Sequence, residues 1–331
     1  MARNPKLFVK GRLVEISTRI EEGLPLAPNK LIKTLLINVL ARAQTYYRVR
    51  IVSYVFLENH FHLLIIVEDP SNVPDFVEYL KRESAYYINR LLGRRKHTVW
   101  CDGYDSPIIL DSKSAINRLK YVYLNPVTAG LCKKGKDWLL SSYNWIDRSK
   151  RSSSITVRRI PRDKVPKLPH RDMTLSEINK ACSKLGYRGK ELYTLTIEPD
   201  AWMECFSDIF YQNPNHLNQV LDKEIDYEER RILREKDGIF PNLNDLATKN
   251  IRTPHQPTKF GKRMICIGST KEIRVKFLTW FRDQCKKLPR FLRQASKDLI
   301  YPSHYPSGFF APGGFLSSNL IPQLTPFRDL G

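Results

Sequence analysis

The order of periodic segments along this 331-residue chain predicts an α+β fold. A central antiparallel sheet with helices packed on it is expected over the first part, and a mainly helical region after it. Two observations carry the prediction. The apolar stretch from Ile51 to Val67 reads as a strand hairpin, and the segments flanking it, Asn29 to Thr45 and Phe76 to Leu92, repeat their apolar residues at helical spacing.

The remaining elements follow in order. Leu13 to Arg19 reads as an early strand and Pro107 to Leu110 as a short one. From Ser112 to Pro126 the residues Ile116, Leu119, Val122 and Leu124 recur at roughly helical spacing, with Ser112 or Ser114 as the expected N-cap. Pro126 is expected to end or kink this helix. The stretch 148–171 is basic, serine-rich at Ser152 to Ser154, and broken by Pro161, Pro166 and Pro169, a composition that predicts an exposed linker. The expected division is therefore a domain at 1–147, a linker at 148–171 and a C-terminal region at 172–331. Within that region the capping box Thr174-Leu-Ser-Glu177 predicts a helix through Leu185, and Ser269-Thr-Lys-Glu272 a helix to Lys287. Asp222 to Arg234 is helical in pattern, 240–259 reads as loop, and 301–331 is rich in Pro, Gly, Ser and Phe.

The most informative short motif is Asn59-His60-Phe61-His62, inside the apolar hairpin. Side chains on a strand alternate between faces, so His60 and His62 project together while Phe61 enters the core behind them. Two imidazoles on one face make half of a metal site. By themselves they are more often two partly buried, hydrogen-bonded histidines, since two ligands are too few to hold a divalent ion firmly. A third ligand is sought in Tyr121-Val-Tyr-Leu-Asn125-Pro126, where positions i and i+4 place Tyr121 and Asn125 on one helix face. Read alone, such a pair near a helix end is most often a core aromatic and a cap. Tyr123 is offset by two residues and is expected to face away from Asn125.

Taken together, in this order and spacing, the segments 57–64 (Leu-Glu-Asn-His-Phe-His-Leu-Leu), 121–131 (Tyr-Val-Tyr-Leu-Asn-Pro-Val-Thr-Ala-Gly-Leu) and 138–142 (Trp-Leu-Leu-Ser-Ser) resemble the single-tyrosine transposases of the HUH endonuclease superfamily, in particular the REP-associated tyrosine transposases. The resemblance covers about the first 145 residues. It implies a ferredoxin-like HUH nuclease domain, with His60, His62 and Asn125 as ligands of a divalent metal, Mg²⁺ or Mn²⁺, and Tyr121 as nucleophile. The implied reaction is attack on single-stranded DNA, giving a 5′-phosphotyrosine link and a free 3′-hydroxyl, on hairpin or palindromic repeat DNA. Three positions depart from the family pattern: Glu58 stands where a proline is frequent, Thr128 where an arginine is, and Gly103 where a basic residue precedes Tyr104. Glu58 places an acid beside the expected metal; the other two remove possible phosphate contacts.

The chemistry explains the residue types. Phosphodiester cleavage needs an in-line nucleophile and neutralisation of charge on the non-bridging oxygens. A phenol is mostly protonated at neutral pH and needs a polarised environment or a proton acceptor. Two imidazoles and one amide oxygen leave coordination positions for phosphate and water. Imidazoles by themselves favour Zn²⁺ or Ni²⁺, so the choice of Mg²⁺ or Mn²⁺ comes from the resemblance. No phosphate-binding loop of the Gly-x-x-x-x-Gly-Lys-Ser/Thr type occurs, and no nucleotide cofactor is expected.

Charge points to the same partner. With 55 basic against 34 acidic residues the formal charge is +21, and the excess is split almost evenly at Lys150. Such a balance suits displacement of counterions from phosphates. Candidate DNA contacts are Arg19, Lys81, Arg82, Arg90, Arg94, Arg95 and Lys96. Tyr79, Tyr86 and Tyr87 are interleaved among them but more readily explained as packing residues. The six cysteines show no C-x-x-C pairing, which suggests a reduced, cytoplasmic protein, and no apolar run approaches the roughly 20 residues that cross a bilayer. A monomer and a homodimer are both compatible with the resemblance. Three functional classes stay open: a DNA strand transferase, a non-cleaving hairpin or repeat-binding protein derived from one, and a replication initiator or relaxase.

Overall fold

In the computed structural model the described residues are 6–21, 30–91, 93, 98–165, 167, 177, 180, 190–236 and 264–295. They build an α+β fold on one mixed sheet. Its strands are β1 (Leu13–Arg19), β2 (Arg50–Phe56), β3 (His60–Ile66), β4 (Ile108–Ile109), β5 (Ser153–Arg158), β6 (Leu192–Ile197) and β7 (Cys266–Ile267), in the order β5-β6-β2-β3-β1-β4-β7. The run β2-β3-β1-β4 is antiparallel, as expected for the central sheet, and parallel pairs flank it, β2 with β6 and β4 with β7.

The centre of the sheet follows from apolar content. Every residue of β3 after His60 is buried, and β3 pairs along its length with β1 on one side and β2 on the other. Helices cover both faces. On one, α1 (Lys30–Tyr47) packs on α2 (Asn72–Leu91), and Phe61 meets Trp100, whose indole N–H donates to Ser84 Oγ of α2. On the other lies α3 (Ser112–Thr128), with the helix α4 (Pro214–Glu235) packed against it. A last helix, α5 (Lys271–Ala295), follows β7.

Two local details differ from the sequence expectation, and a third explains a residue noted there. The N-cap of α3 is Asp111 rather than a serine: its Oδ1 accepts from Ser114 N at 2.8 Å, a stronger acceptor than a hydroxyl beside a positive helix end. Pro126 is accommodated inside α3, which runs on to Thr128. Gly103 adopts φ 75°, a left-handed conformation that a basic side chain would occupy only with strain, and this accounts for the glycine there.

The segment expected as an exposed linker is not bare. Ser153–Arg158 forms β5, paired throughout with β6, and the chain beyond it is held against α1 and α2. Asn38 Nδ2 donates to Arg158 O at 2.6 Å, Tyr87 Oη to Ile160 O at 2.6 Å, and Arg162 pairs with the buried Glu83, which also faces the buried Arg42. The C-terminal region, expected to be mainly helical, also supplies strands to the central sheet, β6 and β7. The helix predicted from Thr174 to Leu185, the loop at 240–259 and the segment 301–331 lie almost entirely outside the described residues.

Candidate active site

Strand alternation and register assemble the site. His60 and His62 leave β3 on the face opposite Phe61, and their ring centroids lie 5.0 Å apart. In the β1 ladder Ser17 sits across from His62 and Arg19 across from His60. Glu15 is two residues before Ser17, so it shares that face and lies diagonal to His62. On α3 the period of 3.6 brings Arg118, Tyr121 and Asn125 to one side. That side faces the histidines: the Tyr121 and His62 ring centroids are 5.2 Å apart at 87°. Two segments about 60 residues apart thus meet at Tyr121 and His62.

The hydrogen bonds set the chemistry of each group. His62 is buried and donates its Nδ1–H to Glu15 Oε1 at 2.7 Å, while its Nε2 is buried with no hydrogen-bond partner. His60 donates its Nδ1–H to Asn59 Oδ1 at 2.6 Å. In both rings the tautomer assigned by the acceptor leaves the lone pair on Nε2. Burial first, then the neighbouring His62 and Arg19, draw the His60 pKa down to about 3, with Glu15 pulling the other way. The ring is therefore neutral at neutral pH, the form a metal ligand requires. Burial pushes the Glu15 carboxyl up, but the His62 hydrogen bond and the Arg118 charge outweigh it and hold it below the usual carboxylate range. Glu15 is an anion at the centre of a sheet, compensated on two sides.

Tyr121 is 39% exposed, so its phenol is open to a substrate, and the Arg118 guanidinium lies 4.0 Å from its ring centroid. Tyr123, by contrast, is buried and stacked on Tyr143 with centroids 4.4 Å apart, on the core side of the same helix. Asn125 is buried and its amide nitrogen has no hydrogen-bond partner. Among the described residues no group of three His, Cys, Asp or Glu side chains is placed to hold a metal ion. The donor set still fits a divalent cation through the amide: the partnerless His62 Nε2 and the buried Asn125 amide, whose O and N are exchangeable by a flip, are atoms that a cation would satisfy. The Glu15–His62 hydrogen bond is the usual support of a ligating imidazole.

The expected DNA contacts separate by environment. Arg19 is exposed and lies across the ladder from His60, at the rim of the site. Lys81 donates to Cys101 O at 2.8 Å and Gly103 O at 2.6 Å, and Arg90 to Val165 O and Asp163 O, so both brace loops. Arg82 pairs with Glu78 one turn away on the surface of α2. Arg94, Arg95 and Lys96 lie outside the described residues. Of the tyrosines, Tyr79 and Tyr87 are buried and Tyr86 is exposed beneath the Arg162 guanidinium. Sequence reasoning did not reach Glu15 or Arg118. Their signals were an acid amid Leu13, Val14 and Ile16, and an arginine three residues before Tyr121.

Residues 26–124 match the family model described as IS200-like transposase. A protein of Haemophilus influenzae (strain ATCC 51907 / DSM 11121 / KW20 / Rd), named for the REP-associated tyrosine transposases, is 29% identical over an alignment of 108 residues that covers 30% of this chain. The chain spans 61% of that relative's length. A solved structure of a REP-associated tyrosine transposase bound to a REP hairpin is similar over 44% of this chain and 84% of that one, with 17% identity and a TM-score of 0.37. Over residues 26–124 the chain is thus similar to the IS200-like transposases. Within that class, it is the REP-associated tyrosine transposases that its sequence resembles.

Proposed function

We propose that this protein is a metal-dependent single-stranded DNA endonuclease and strand transferase that works through a 5′-phosphotyrosine intermediate, on hairpin or palindromic repeat DNA. The observation that carries the reading is the contact between Tyr121 and His62, which puts an exposed phenol beside a buried ring nitrogen without a partner. His60, His62 and Asn125 would hold Mg²⁺ or Mn²⁺, whose chemistry when bound is to neutralise charge on the non-bridging phosphate oxygens.

The chain's own groups do the rest. Tyr121 Oη attacks the scissile phosphorus and forms the phosphotyrosine bond as the P–O3′ bond breaks. The phenol proton goes to solvent, and the departing 3′-oxygen takes one from solvent. Attack by a 3′-hydroxyl reverses the step on another strand, releasing the tyrosine. Because the bond energy is kept in the covalent intermediate, no nucleotide triphosphate is consumed. Arg19 at the rim and the overall charge of +21 supply backbone attraction. Basic residues on α5, including Arg274, Lys276 and Arg282, are exposed and would extend that surface.

The test is incubation of wild type and Tyr121→Phe with labelled single-stranded DNA from the flanks of the gene, in Mg²⁺ or Mn²⁺, followed by a denaturing gel. A covalent adduct with wild type alone is expected. If both proteins bind the DNA and neither forms an adduct, the strand-transfer reading fails and the non-cleaving binding protein takes its place.

A further inference from the structure

We infer that Glu15 and Arg118 are positioning residues of this site: Glu15 holds His62 with Nε2 bare toward the metal position, and Arg118, anchored on the same carboxylate, holds the Tyr121 ring against His62. The inference rests on the reading of Tyr121 as the nucleophile.

The geometry is that of one carboxylate serving two arms. Glu15 Oε1 accepts from His62 Nδ1 and from Arg118 Nη2, and the Glu15 side chain is 2% exposed. A carboxylate in the middle of a sheet is costly to bury, and an apolar residue would pack there more cheaply. Its position diagonal to His62 has a chemical consequence that an apolar residue lacks. By taking the Nδ1–H, Glu15 fixes which ring nitrogen keeps its lone pair and which way the ring points.

The second arm starts from Arg118, at i−3 from Tyr121 on α3. Its guanidinium bridges the sheet and the helix, paired with Glu15 at one end and lying 4.0 Å from the Tyr121 ring centroid at the other. The Tyr121 ring thereby contacts both the Arg118 guanidinium and the His62 ring, the latter at 87°. An exposed tyrosine on a helix would otherwise sample several rotamers. Here a flat cation limits it to the one that faces the histidines and adds a phosphate-binding fork beside the phenol. Metal ligand and nucleophile are located relative to each other through one buried oxygen.

The experiment compares the full chain as wild type, Glu15→Gln, Arg118→Met and Arg118→Lys, each checked for folding by circular dichroism. Three readouts are used: the ¹⁵N imidazole shifts of His62 in metal-free protein, Mn²⁺ affinity from the free-ion EPR signal, and the rate of adduct formation at saturating DNA. Glu15→Gln, which keeps an acceptor oxygen but loses the charge, is expected to weaken the preference for the Nδ1–H tautomer and to bind Mn²⁺ about 10- to 100-fold more weakly. Arg118→Met is expected to keep the tautomer and the Mn²⁺ affinity while its adduct rate falls roughly 10- to 100-fold, as misplacement of a reacting group does. Arg118→Lys, which keeps the charge without the flat fork, should recover only part of the rate. A wild-type adduct rate in Arg118→Met, or a wild-type tautomer and affinity in Glu15→Gln, would overturn the inference. If Glu15→Gln does not fold, the Arg118 variants decide it. If wild type itself forms no adduct, the proposed function fails and the role of Arg118 falls with it, while the His62 tautomer and Mn²⁺ affinity still decide that of Glu15.

Discussion

His62 has its two ring nitrogens in opposite circumstances, one bonded to Glu15 and the other buried without a partner. A buried imidazole nitrogen left bare costs stability unless something else satisfies it. Replacing His62 by Ala is therefore expected to abolish Mn²⁺ binding, measured by the EPR signal of the free ion, and adduct formation with it. Chelation of wild type should stop adduct formation while a gel shift on single-stranded DNA persists, because backbone contacts by Arg19 and other cations do not depend on the metal. The two histidines and the Tyr121–Asn125 pair were legible in sequence because each belongs to a short period, two for the strand and four for the helix. Glu15 was not, since its partner His62 is 47 residues away and only the register of β1 against β3 makes them neighbours.

At the scale of elements, α3 carries the proposed nucleophile and its two ends are held by contacts outside itself. Asp111 caps its N-terminus and also accepts from Ser269 N at 2.8 Å, joining the approach to α5 to the tyrosine helix. Asp111→Ala is expected to cost about 0.5–2 kcal/mol, measured as a lowered midpoint in urea. Beyond its C-terminus Gly135 passes so close that a Cβ there would lie 2.2 Å from Tyr123 O. Gly135→Ala should therefore destabilise the protein by roughly 1–3 kcal/mol through overpacking, read from the same denaturation curve. Asp111 escaped the sequence reading because neighbouring serines offered a plausible cap. The helix period itself was clear, and only the ends were misjudged: the cap lies just before Ser112, and the helix runs past Pro126 to Thr128.

At the scale of the whole molecule, the later half of the chain completes the sheet begun by the first. β6 lies alongside β2, with Gln44 exchanging two hydrogen bonds with the Thr196 backbone at 2.8 Å, and Arg50 of β2 forms ion pairs with Glu198 and Glu204. On the other face α4 reaches the tyrosine helix and the segment behind it: Lys120 pairs with Glu224 at 2.7 Å, Gly135 N donates to Glu229 Oε1 at 2.8 Å, and the buried Arg148 bonds Asn218 and Asp222. A fragment ending at residue 147 would bare the β2 edge and the buried face of α3. It is expected to aggregate, whereas the full chain elutes as a defined species in size-exclusion chromatography; a soluble, folded fragment would contradict this. β5 was hidden from the sequence because Ser152 to Ser154 and the prolines beyond it have the composition of a loop. Its alternation is visible only in Ser153, Ile155 and Val157, which turn inward while their neighbours are exposed.

The reading of the site rests on one residue, so the most direct measurement locates the covalent bond. Wild-type protein would be reacted with a single-stranded oligonucleotide, digested with protease and nuclease, and the nucleotide-bearing peptide sequenced by mass spectrometry. The account predicts a 5′-phosphoryl group on Tyr121 alone. A nucleotide on Tyr86, Tyr104 or any other residue would contradict it.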